Sequence, residues 1–166
     1  MCSSDLFLFE LIEELAAVDA ELDVYEYVLL RLLESYSGVE LKRRVTRSLD
    51  VDAAVATVLA TTAAFGHGDA ATARAACDAG LAAIGMKVTP ALTATVEKCI
   101  EARTVTLLDD ALSALARLKE RSRRKVLIAL LATVRHDRNV EVVEAELFRA
   151  VAAVLGCPMP PAAAIR

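Results

Sequence analysis

Apolar residues recur along this chain at the period of an α-helix. Leu8, Leu11, Ile12, Leu15 and Val18 form one stripe across residues 6–18. After a break at Asp19–Asp23, Tyr25, Val28, Leu29, Leu32, Leu33 and Tyr36 form a second, ended by Gly38. The i, i+3, i+4, i+7 spacing places each stripe on one helix face. Asp23, three residues ahead of Glu26, matches a capping box with Asp in the capping role. A basic connector at 39–48 leads to a helix expected over 50–65, stopped by Gly66 and Gly68, and then to one over 69–84, stopped by Gly85. Thr89-Pro90 pairs a capping hydroxyl with a first-turn proline, and one or two helices follow over 90–119. Ser122 is placed to cap a helix over 123–135. Its apolar residues (Val126, Leu127, Ile128, Leu130, Leu131, Val134) lie almost all round, which predicts a central, buried helix. The last helix, 140–155, carries Val140, Val143, Leu147, Val151, Val154 and Leu155 and ends at Gly156. The prolines of the tail 157–166 cannot continue it.

Composition agrees with helices and excludes most alternatives. Hydrophobic residues are 56% of the 166, aromatic residues only 4%, and there are six Gly, four Pro and no Trp. Alanine is about a fifth of the chain. An all-β sandwich or barrel needs β-branched and aromatic strands punctuated by Gly/Pro turns, so it is excluded. So are a disulfide scaffold and a disordered chain. No Gly/Ser-rich linker divides the sequence, which predicts one helical domain over 7–156. The strongest apolar run, 126–134, is far shorter than the ~20 residues of a membrane span. The N-terminal residues lack the basic flank and cleavage site of a signal peptide. A soluble, cytoplasmic protein that does not itself insert into a membrane is expected. The opening residues 1–6, MCSSDL, resemble a translated sequencing adapter and read as non-native, which makes the chain the C-terminal remnant of a longer protein. Ser3, Ser4 and Asp5 as a natural helix cap are the alternative.

Charge is unevenly spread. Net charge is −4, yet residues 1–40 hold ten acids against the single base Arg31. Lys42, Arg43, Arg44 and Arg47 form one basic run; Arg117, Lys119, Arg121, Arg123, Arg124 and Lys125 form another. Acidic and basic segments in one chain suggest charge matching within the fold or across an interface. Nucleic acid is not expected as a partner, because the chain is acidic overall and neither run interleaves aromatics. Cys2, Cys77, Cys99 and Cys157 show no metal-ligand spacing and read as buried reduced thiols.

Two stretches match without gaps. Residues 19–31, DAELDVYEYVLLR, align on residues 137–149, DRNVEVVEAELFR, as D-x-x-[LV]-[DE]-V-x-E-x-x-L-[LF]-R. Each follows an apolar helix, so two related hairpins, near 6–36 and 122–155, are expected to bracket an Ala-rich helical middle. The bland reading of the pattern is structural: the Asp ends one helix, the apolar residue plugs the turn and the Glu helps cap the next helix. The sharper reading is a divalent cation, since Asp19, Glu21, Asp23 and Glu26 crowd oxygen ligands into one turn. EF-hand spacing is missing, however, and in the second copy Arg138 and Asn139 bring no acid, Asn139 standing opposite Glu21, so no metal is assigned.

The acid–turn–acid hairpin resembles the TerB-like, tellurite-resistance helical fold. More closely, AAVDAELDVYEYVLLRLL and the stretch from Leu108 through Cys157-Pro158-Met159-Pro160 resemble the C-terminal helical region of bacterial membrane-bound zinc metallopeptidases of the CAAX-protease-like, HtpX-like family. The resemblance implies a non-catalytic accessory domain, regulatory or scaffolding, whose partner is a protein or the missing N-terminal peptidase part. It also implies tethering to the inner membrane through that part. A stand-alone helical interaction module, binding a divalent cation or none, is the alternative. Ala20 and Arg138 stand where the family pattern has Gly, which puts a left-handed turn there in doubt.

No catalytic activity carries over. His-Glu-x-x-His is absent, and only His67 and His136 occur. His67, in a Gly-His-Gly stretch, reads as surface loop, and His136 as a cation at a helix end. Asp109-Asp110 reads as an exposed pair at a helix start. There is no GxSxG, phosphate loop or GxGxxG, so neither enzyme activity nor a cofactor is expected.

Overall fold

Most of the helices begin where the sequence supplies an oxygen for their free amides. The structure, a computed structural model, describes residues 23–37 and 49–158. In α1 (Val24–Ser37) the Tyr25 amide donates to Asp23 Oδ1 at 2.8 Å, and the Asp23 amide donates to Glu26 Oε2 at 3.0 Å. Asp50 caps α2 (Val51–Gly66) by accepting from the Asp52 amide, and Asp69 caps α3 (Ala70–Ala83) by accepting from the amide and hydroxyl of Thr72. Thr89 accepts from the Leu92 amide at the start of α4 (Pro90–Ala102). A 3-10 turn, Val105–Leu107, runs into α5 (Leu108–Ala116), followed by α6 (Glu120–Val134) and α7 (Val142–Val154). The expected all-helical bundle is what the described residues form, with no strand among them.

The centre is α2. Every residue from Ala54 to Ala64 is buried, and the helix packs against α3, α4, α5, α6 and α7. Its small side chains (Ala54, Ala56, Ala60, Ala63 and Ala64) let five neighbours approach closely, and this is the Ala-rich middle that the sequence predicts. Around it Leu81, Leu108, Leu112, Leu115, Leu130, Leu147 and Leu155 fill the core almost without exposure. The two helices of the repeated pattern, α1 and α7, pack against each other. The helix expected at 6–18, the connector 39–48 and most of the Pro-rich tail lie outside the described residues.

Two expectations are corrected. The helix read as central, α6, is peripheral: Ile128 is 55% exposed, and Leu127 and Leu131 are half-buried. Arg121, Arg124 and Lys125 lie on the same side of α6 as Ile128, so that side must stay in water. Nor does Ser122 cap it. The helix begins two residues earlier, at Glu120, and the Ser122 amide donates to the Lys119 carbonyl within the first turn. The other side of α6 meets α3 very closely. A Cβ at Gly80 would stand 2.1 Å from Thr133 Oγ1 and 2.8 Å from the Ala129 carbonyl, so only glycine fits that crossing.

Candidate functional site

The most unusual chemistry in the molecule sits where α2 ends beneath the α6–α7 turn. In that turn the Asn139 amide donates to Asp137 Oδ1 at 2.9 Å, and the Asn139 side chain donates to Glu141 Oε1 at 2.9 Å. Between them Arg138 takes a left-handed backbone, φ 62°. The left-handed turn that its side chain puts in doubt is therefore present. Glu141 and Glu144 then form a reciprocal capping box, with the Glu141 amide donating to Glu144 Oε2 at 3.0 Å. The structural reading of the repeated pattern thus holds in the second copy.

His67 lies under this turn, not on the surface. It is 5% exposed, with Nδ1 3.4 Å from Asp137 Oδ2 and Nε2 3.7 Å from Glu144 Oε1. The surface-loop reading of Gly-His-Gly fails for a geometric reason. A Cβ on Gly66 would fall 2.1 Å from the Glu144 carboxyl carbon, so glycine is what allows imidazole and carboxyl to share one pocket beneath α7. Glu144 is fully buried. Burial, opposed by the Glu141 amide and helped by the nearby Asp137 and Glu141 charges, pushes its carboxyl up to about 7. His67 Nε2 and Glu144 Oε1 are both buried without a hydrogen-bond partner. The two carboxylates face opposite nitrogens of one ring, so they cannot chelate a single ion together with it. Among the described residues no group of three potential ligands could hold a metal. What the arrangement does is gather the end of α2, the α6–α7 turn and the first turn of α7 around a buried carboxyl and a buried imidazole.

Glu144 announces itself in the sequence, since it shares the face of Leu147, Phe148 and Val151. A carboxyl on the buried stripe of a helix needs a buried polar partner. That signal points to a partner without naming His67, which is 77 positions away in the chain.

The other candidate residues serve the fold. Of the cation candidates, Asp23 and Glu26 cap α1, while Asp19 and Glu21 lie outside the described residues. Asp109 is half-buried, not exposed. It accepts from the Tyr27 hydroxyl at 3.0 Å and from Arg31, tying α1 to the start of α5. Arg31 also donates to Tyr27 Oη at 3.1 Å and to Glu34 at 3.2 Å, and burial raises the Tyr27 hydroxyl well above the usual tyrosine range. Arg74 and Glu97 join α3 to α4 through two hydrogen bonds. His136 is exposed just beyond the end of α6. Cys77, Cys99 and Cys157 are buried free thiols, as expected; burial pushes Cys77 up to about 12 and raises Cys99, so neither is a ready nucleophile. No described helix is long and apolar enough to cross a membrane. No family model, no curated protein and no solved structure matches the chain.

Proposed function

We propose that the chain is a non-catalytic helical accessory domain of the TerB-like type, regulatory or scaffolding, from the C-terminal end of a membrane zinc metallopeptidase-like protein. One observation carries the interaction role. Helix α1 packs inward on α7 but presents Tyr25, Leu29 and Tyr36 to solvent, at 54%, 48% and 73% exposure. The matching helix α7 buries Leu147, the counterpart of Leu29, completely. Large apolar side chains at i, i+4 and i+11 on an outer helix suit contact with a further protein segment. The polar groups support the same reading. Asp23, Glu26, Asp109, Glu141 and Glu144 are engaged in caps and ties, and His67 and Glu144 are closed off beneath α7.

The test is to read the genomic frame upstream of this chain. Transmembrane helices and a His-Glu-x-x-His motif in frame before Phe7 are expected. A promoter and ribosome-binding site directly ahead of Met1 would overturn the peptidase origin and leave a stand-alone interaction module.

A further inference from the structure

A groove of about 480 Å³ opens at the end of the bundle where α2 and α6 begin. Its floor is apolar, with Val55 and Val126 at the bottom and Ile84, Met86 and Leu118 on the sides. The size falls within the roughly 300–1,000 Å³ of ligand-binding clefts. Its rim is cationic. Lys87, from the α3–α4 connection, and Lys125, from α6, stand among its lining residues, and Asp52 is the only carboxylate there. Arg117, Lys119 and Arg121 follow along the adjoining α5–α6 corner. All five cations are exposed, and none forms an ion pair among the described residues. Other members of the same basic run do have partners: Arg124 pairs with Glu120, and Arg123 donates to the Leu155 carbonyl.

The fold therefore sets an apolar trough inside a spread of unpaired positive charge. We propose that this groove docks an acidic amphipathic helix of another protein. Such a helix places apolar anchors at i, i+3 or i+4, and i+7 into the trough and its carboxylates against the rim. Cations distributed over two walls and a corner match carboxylates distributed along a peptide better than one compact anionic head. The absence of aromatic residues in the groove removes the stacking platform that single-stranded nucleic acid uses. The proposal deepens the reading of the chain as an interaction domain by giving the chemistry of one partner.

The experiment is fluorescence anisotropy on the full chain with a labelled sixteen-residue peptide carrying Leu at i, i+3, i+4 and i+7 and Glu at most other positions. Saturable binding that weakens by about tenfold from low to high salt is expected. The double substitution Lys87→Glu/Lys125→Glu should abolish it without moving the melting temperature, because both side chains are exposed. A scrambled peptide of the same composition should bind at least about tenfold more weakly. No saturable binding, equal binding by the scrambled peptide, or binding unchanged in the double variant would overturn the groove. Binding to anionic vesicles, or to decanoate, in place of the peptide would overturn it as well. None of these failures touches the solvent-facing stripe of α1 or the upstream frame, which decide the broader reading separately.

Discussion

Replacing Glu144 by glutamine removes a titratable proton from inside the bundle while keeping the shape of the side chain and an oxygen for the Glu141 amide. A carboxyl free in the unfolded chain titrates near 4.5, and in the fold burial raises it to about 7. The folded state therefore binds the proton more tightly, and this group's contribution to stability is most favourable below 4.5. It is lost as pH rises through 7. At about 1.4 kcal/mol per pH unit, the buried carboxylate costs about 3 kcal/mol above neutrality. The Glu144→Gln protein should match the parent near pH 4.5 and exceed it by up to about 3 kcal/mol near pH 8. For a chain of this size that corresponds to about 6–12 °C in melting temperature. The assay is a pair of melting curves followed by circular dichroism at intervals across this range. All other titrating groups are common to both proteins, so the difference between the curves isolates the carboxyl. A constant difference from pH 4.5 to 8 would refute the reasoning, because it would mean that Glu144 titrates as a solvated residue.

Three further substitutions probe the packing and the turns. Gly80→Ala, which drives a methyl into Thr133 Oγ1 and the Ala129 carbonyl, should cost about 1–3 kcal/mol in urea unfolding; a neutral result would contradict the close α3–α6 crossing. Arg31→Met removes the donor that Tyr27 and Asp109 share and should destabilise by about 1–3 kcal/mol in urea unfolding; a neutral result would contradict the tie between α1 and α5. Arg138→Gly should raise stability by about 0.5–1 kcal/mol by relieving a left-handed arginine, and a loss would show that its side chain contributes something the backbone argument omits.

Much of the fold was legible because it rests on local signals. Asp23, Asp50, Asp69 and Thr89 each stand one residue ahead of a helix, and Gly85 and Gly156 take the left-handed conformations that end them. The ranking of helices by burial was not legible. The all-round spread of large apolar side chains favours α6, whereas close packing favours α2, whose alanines admit five neighbours. The site was legible by halves. Glu144 sits on an apolar stripe and so calls for a buried partner. His67 sits between glycines, which signal a turn in local chemistry but here supply the space that lets its imidazole go under α7. Asp109 was misread for the same reason. Its neighbours describe a helix start, and only the arrival of Arg31 and Tyr27 from 78 and 82 positions earlier makes it an internal tie.

That His67 and Glu144 beneath α7 are closed to solvent, and so are part of the fold and not a surface site, can be tested within a single sample. Hydrogen–deuterium exchange at the imidazole Cε1 positions compares His67 with His136, the only two histidines in the chain. His136 is exposed and serves as the internal reference. Exchange at His67 only upon global unfolding, with His136 exchanging freely, is the predicted result. Equal exchange at the two rings would return His67 to the surface and contradict the account.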